Sequence, residues 1–249
     1  MKKIVCLFPH CDDEYFVIDH LLKWKSDGHS VKACFLTHHQ ALGEKRRTES
    51  TYFLNRHRIN DILFIDNPKC LDGKLPAHIK EILDCVSGFG KFDIILTPAW
   101  EGGHQDHDAA FVVGKILSQR YGSKHLQFST YNGAVTNKIF YKVSFPIQSL
   151  IRNEIEIPLT ILSAFKKCLG VFFIYPSQWK TWVGLAPFML YSLIKSRAIK
   201  VFESKAVDLL VPPHTGKLLY ERFERMTWTE FKGHCERALQ TTGTARKIS

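Results

Sequence analysis

What the chain lacks narrows it first. No apolar run is long enough to span a bilayer: the longest uncharged segment late in the chain, Thr181 to Ile194, has 14 residues and carries Gly184 and Pro187, short of the ~20 a spanning helix needs. The start does not read as a secretory signal, since Met1, Lys2 and Lys3 precede only a short apolar run before an acidic cluster. Seven cysteines, an odd number without CxxC spacing, argue against a disulfide framework and for a reducing compartment. The expected location is therefore the cytoplasm. Repeats, low-complexity tracts, linkers, coiled-coil heptads and an identifiable exposed apolar stripe are also missing. With 249 residues and a hydrophobic fraction of 45%, the chain reads as a single domain, residues 1–249, with a sizeable core.

Acidic residues are scarce too, 24 against 34 Lys and Arg, for a net charge of +10. The deficit is uneven: residues 138–205 hold ten Lys and Arg and three Glu. A solvated, lysine-rich surface accounts for this, and so does attraction to a nucleotide-linked or lipid-linked phosphate or to an anionic membrane face, which would make the protein peripheral to a membrane. No nucleic-acid-binding motif accompanies the charge, and no nucleic-acid partner is expected.

What is present is an alternation of apolar runs and amphipathic segments. Strands are predicted over Lys3–Phe8, Ser30–Thr37, Asp61–Ile65 and Phe92–Thr97, and helices over about Glu14–Lys25, Glu44–Arg58, Ala77–Ser87 and Ala109–Leu117. The fold class that follows is α/β: a Rossmann-like, mainly parallel sheet flanked by helices. The motif-bearing part is about 1–131 and the variable part about 132–249. In the latter, strands over Leu126–Tyr131 and Lys138–Val143 and a helix over Pro158–Cys168 are expected.

Chemistry concentrates at two predicted strand ends. Phe8 to Glu14 reads FPHCDDE, with His10, Asp12, Asp13 and Glu14 directly after the first strand. In a parallel sheet, ligands bind beyond the carboxyl ends of the strands. His10 and Asp13 suit a divalent metal, zinc accepting imidazole nitrogen and carboxylate oxygen together, but a catalytic zinc takes a third protein ligand. The polar loop Pro98–Asp108 follows the fourth strand and contains His104, Asp106 and His107. It supplies that ligand.

PHCDDE followed by HQDH resembles the paired signature of the PIG-L, or LmbE-like, family of zinc-dependent de-N-acetylases, with patterns HPDDE and HPDH. Arg46 and Glu49 resemble the family's RxxE, Tyr175–Gln178 its YxSQ, and Tyr220–Phe223 its YAExF. The resemblance implies Zn2+ held by His10, Asp13 and His107, Asp12 as general base, and His104 as the residue that stabilises or protonates the tetrahedral intermediate. It further implies an N-acetylated amino sugar of N-acetylglucosamine type as substrate, in a glycoconjugate, nucleotide-linked or lipid-linked precursor. Asp106 is expected to orient His104, Glu14 to be structural, and Arg46 to bind substrate hydroxyls or phosphate or to pair with Glu49. Ser177 and Gln178 are expected to close the C-terminal segment over the core. The aromatic group Phe172, Phe173, Tyr175, Trp179 and Trp182 is expected to be core, or alternatively a sugar-stacking wall or an apolar rim for a lipid tail. Cys11 and Gln105 stand where the family has prolines, and Cys11 is expected to point away from the metal. Where the family often has a TxG turn, the chain reads Thr37, His38, His39.

Two other functions fit the residues. One is a magnesium-dependent phospho- or glycosyl-transfer enzyme using Asp12 and Asp13, with no need for His107. The other is a non-catalytic protein holding an anionic partner.

Overall fold

The computed structural model describes residues 1–37, 42–136 and 140–242 and the backbone of 247–248. His38, His39 and the start of the strand expected from Lys138 lie outside these residues. The elements run β1 (Lys3–Phe8), α1 (Glu14–Ser26), β2 (Ser30–Phe35), α2 (Gly43–Arg56), β3 (Asp61–Phe64), a 3-10 turn (Leu75–His78), α3 (Ile79–Ser87), β4 (Ile94–Pro98), α4 (Gln105–Tyr121) and β5 (Lys124–Phe128). They continue with β6 (Tyr131–Asn132), β7 (Lys142–Val143), β8 (Ile151–Pro158), α5 (Ile161–Ile174), α6 (Trp179–Ser196), β9 (Ala198–Ser204), β10 (Val207–Asp208), α7 (Leu219–Arg222), α8 (Trp228–Thr242) and β11 (Lys247–Ile248).

Seven strands form one sheet in the order β3-β2-β1-β4-β5-β9-β8. β1 to β5 are parallel, whereas β9 runs antiparallel to both β5 and β8. The sheet is therefore mainly parallel, as expected, but the second half of the chain extends it rather than forming an appendage. β1 is buried on both faces, which is why it reads as an unbroken apolar run. Its alternate residues Ile4, Cys6 and Phe8 face one core, shared with α1, α5 and α6. Val5 and Leu7 face the other, shared with α3, α4 and α8.

This order fixes where a site can lie. From β1 the chain crosses to β2 on one side, and later to β4 on the other, so the C-terminal ends of β1 and β4 flank a switch point with a crevice between their loops. The loops are Pro9–Asp13 and Ala99–His104. The second is shorter than the sequence suggests: α4 starts at Gln105, with His104 as its N-cap, so His107 and Asp108 lie in the first helical turn. α4 ends at Gly122, whose φ of 65° gives the left-handed cap that glycine adopts without strain.

Candidate active site

The first loop is folded by its own side chains. His10 N–H donates to Asp13 Oδ2 at 2.8 Å, and Asp12 N–H donates to Glu14 Oε2 at 2.9 Å. Asp12 is held at φ 107°, a backbone region that costs a non-glycine residue of order 1–3 kcal/mol. Its side chain is fixed from another layer, since Trp182 Nε1 of α6 donates to Asp12 Oδ2 at 2.9 Å. Glu14 is fully buried and also accepts from Tyr175 Oη at 2.8 Å, a structural role that matches expectation. Cys11 is buried in the core beside α1 and its thiol is pushed up by burial, so it stays a thiol away from the crevice.

The second loop closes on the first. Gly103 is required there: a Cβ would stand 1.8 Å from the carbonyl oxygen of Tyr131. Asp108 ties the loop down by accepting from the N–H groups of Glu101 and Gly102 at 3.3 and 3.2 Å.

His10, Asp13 and His107 come together as a buried triad whose ligand atoms all lie within 4.8 Å of one another. Asp13 Oδ2 is 3.3 Å from His10 Nδ1, and Asp13 Oδ1 is 3.1 Å from His107 Nε2. His107 Nδ1 is 2.9 Å from Thr130 Oγ1. With a proton on Nδ1 for that bond, Nε2 presents a lone pair inward. Nε2 is buried, faces a carboxylate oxygen and has no hydrogen-bond partner among the described residues. Two nitrogens and one carboxylate converging on one point, with an orphaned inward lone pair, fit the donor set of a catalytic zinc.

Electrostatics separates the two aspartates. Asp13 is driven well below the usual carboxylate range: burial opposes ionisation, but the neighbouring His107 and His10 imidazoles outweigh it. Asp12 is driven the other way by burial and by its acidic neighbours Asp13 and Glu14. His10 is raised, because Asp72, Asp106 and Asp13 outweigh its burial. His104 is lowered by burial and by His10 and His107.

His104 faces the same crevice. Its Nδ1 accepts from the Asp106 backbone N–H at 3.2 Å, so the neutral ring carries its proton on Nε2. The Asp106 carboxylate was expected to orient His104. Instead Oδ2 meets His10 Nε2 at 3.1 Å and lies 4.0 Å from His104 Nδ1. The reason is competition: Asp106 is fully buried and also accepts from the N–H groups of Gly73 and Leu75 at 2.6 and 3.1 Å, which turns it toward the β3 side. Its carboxylate orients His10 rather than His104.

Arg46 reaches Asp72 at 3.8 Å rather than Glu49. Glu49 is taken by Ser177, through its N–H at 3.1 Å and its hydroxyl. The late Tyr175–Gln178 segment thus closes onto α2 and α1, as expected of Ser177, although Gln178 also lines the cavity. Tyr220 is buried, and Glu221 accepts from the N–H groups of Leu218 and Trp228, so the last motif is a brace. Of the aromatic group expected in the core, Tyr175 and Trp182 are buried, whereas Phe173 is 86% and Trp179 53% exposed.

These residues surround a cavity of about 410 Å³ lined by His10, Asp12, Asp13, His104, Arg46 and residues that sequence reasoning missed: Asp72, Lys74, Tyr131 and Arg225. Asp72 lies 3.3 Å from His10 Nε2 and 4.0 Å from His104 Nε2. The available signal was positional, Asp72 and Gly73 forming a turn on the same edge as the other two loops.

Residues 5–117 match the family model described as PIG-L: GlcNAc-PI de-N-acetylase. These residues are a PIG-L domain. The match spans β1 through most of α4, and so includes both histidine-bearing loops of the PIG-L crevice. Among curated proteins no significant sequence relative was found. Solved structures share the architecture. A zinc-inhibited form of teicoplanin deacetylase aligns with a TM-score of 0.58 at 13% identity, over 83% of this chain and 99% of its own. N,N'-diacetylchitobiose deacetylase from Pyrococcus horikoshii aligns at 0.53 and 18%, over 86% and 88%. A 4-carboxy-2-hydroxymuconate hydratase from Pseudomonas putida aligns at 0.50 and 12%, over 87% and 99%. Deacetylases and a hydratase share the fold, so the architecture alone does not select the reaction.

Proposed function

We propose that the protein is a zinc-dependent hydrolase that removes the acetyl group from an N-acetylated amino sugar of N-acetylglucosamine type. The observation that carries this reading is the convergence of His10, Asp13 and His107, with Asp12 and His104 on the walls of the same cavity. His10, Asp13 and His107 would hold Zn2+, which when bound supplies a water of pKa about 7 and polarises the amide carbonyl. Asp12, raised by burial and anchored by Trp182, accepts the proton of the attacking water. His104 directs Nε2–H into the cavity, where it stabilises the developing oxyanion by hydrogen bonding, and the proton that Asp12 took from the water passes to the departing amine. Asp106 locks His10 in the tautomer that leaves Nδ1 available to the metal. Arg46, with Asp72, contacts the sugar hydroxyls.

Nitrogen donors argue against the magnesium reading, since magnesium prefers an all-oxygen octahedron. A complete and buried ligand set argues against a purely binding role. The test is metal analysis together with acetate release from free, nucleotide-linked and lipid-linked N-acetyl sugars. Stoichiometric zinc and acetate release are expected, with Asp12→Asn abolishing release while retaining metal. Full turnover in that variant removes the base assignment, and zinc-loaded protein inert on every N-acetyl sugar removes the function.

A further inference from the structure

The outer sides of α5 and α6 depart from what a water-facing helix presents. On α5, Ala164, Cys168 and Val171 are buried, at helical spacings of four and three. The opposite side exposes Leu162, Phe165, Leu169 and Phe173 where an amphipathic surface helix would carry charge. α6 buries Trp182, Leu185, Met189 and Leu193, and exposes Trp179, Val183, Phe188 and Tyr191. The two helices pack against each other and bury their inner sides in the same core, so the two outer stripes share one surface. Single exposed apolar residues are ordinary, but a continuous set marks an interaction site.

Charge identifies the partner. From Ile157 to Phe202 the sequence contains no Asp or Glu, and its cations are Lys166, Lys167, Lys180, Lys195, Arg197 and Lys200. Lys167 is paired inward with Asp19, and Lys200 with Glu154 and Glu156. Lys166, Lys180 and Lys195 remain on the exposed sides of the two helices. Lys180 Nζ lies 5.9 Å from the Trp179 ring, and Lys195 Nζ lies 5.9 Å from the Tyr191 ring. Apolar side chains interleaved with cations, and with aromatic rings beside them, match a helix lying in the headgroup region of an anionic bilayer. A second copy of the same face would set lysine against lysine with no acid to answer it. Among the described residues no helix is long and apolar enough to cross a membrane, so the contact is in the plane of the interface.

The docking face adjoins the catalytic cavity, because Thr181 and Leu185 of α6 also line that cavity. We propose that α5 and α6 form a docking surface for an anionic lipid bilayer and so bring the cavity to amino sugars carried on lipids. Delivery of a lipid-borne sugar rests on the hydrolytic reading above, whereas docking does not.

The test is cosedimentation of the full chain with phosphatidylcholine vesicles, with and without phosphatidylglycerol. Binding is expected only with phosphatidylglycerol and should weaken in high salt. Lys180→Glu should lower the partition coefficient at least about fivefold. The double variant Leu169→Asp, Phe173→Asp should abolish binding, with its melting temperature and its turnover of water-soluble N-acetyl sugars unchanged. Failure of the wild type to bind phosphatidylglycerol vesicles overturns the proposal, as does a wild-type dimer that the double variant splits. Vesicle binding without acetate release from any sugar keeps the docking surface and removes the hydrolytic reading. Release from soluble but not lipid-linked sugars removes delivery alone.

Discussion

Trp182→Phe isolates the one hydrogen bond that α6 contributes to the proposed base. Trp182 is fully buried, and its Nε1–H is 2.9 Å from Asp12 Oδ2. Phenylalanine keeps an aromatic ring against Tyr15 and Phe16, whose centroids lie 5.8 and 5.2 Å from that of Trp182, but removes the donor. A hydrogen bond to a charged group contributes about 1.5–3 kcal/mol. Because the indole N–H favours the ionised carboxylate, its loss favours the protonated form. At about 1.4 kcal/mol per pH unit, the acid limb of kcat/KM should move upward by about 1–2 pH units. The assay is acetate release measured across pH, with activity recovering toward the wild-type plateau on the alkaline side. An acid limb that stays in place while kcat falls equally at every pH would refute Asp12 as the group whose ionisation limits the reaction, and would leave Trp182 as packing alone.

Other perturbations separate structure from chemistry. Asp106→Asn should weaken zinc affinity about 10–100-fold, read by competition with a chelator, because His10 loses the carboxylate that orients it. Gly103→Ala should destabilise by about 1–3 kcal/mol or more in urea unfolding, since its Cβ would meet the Tyr131 carbonyl at 1.8 Å. His125 is held by burial at about 3, below its ordinary 6.5. The folded chain therefore keeps this ring neutral, so its contribution is complete above about 6.5 and is lost as pH falls toward about 3. Urea midpoints measured through that window should fall less steeply for His125→Gln than for the wild type.

The first half of the fold was legible because its strands are buried on both faces and its helices alternate with them, so β1 and α1 fall within a residue of their expected bounds. β8 was not, because it forms the sheet edge with mostly exposed side chains, and its alternation is confined to the short run Glu154–Ile157 between polar residues and Pro158. α6 was obscured by Pro187 within it and by apolar residues on both its buried and its exposed sides. For the same reason its outward stripe could not be told from core: periodicity separates faces only when one of them is polar. The histidine and aspartate loops announced themselves by spacing. Asp72 and Tyr131 did not, since each reaches the cavity through a contact made by another segment: the Asp106 carboxylate with the Gly73 and Leu75 N–H groups, and the Gly103 backbone beside Tyr131.

The Asp106 carboxylate joins three stretches far apart in the chain, His10, the Gly73–Leu75 turn and the start of α4. None of these contacts is local, so loop closure across 96 residues must precede the His10 bond. In time-resolved refolding, secondary structure should therefore appear before the chain gains high-affinity zinc binding. Capacity for metal becomes a clock for the completion of the fold.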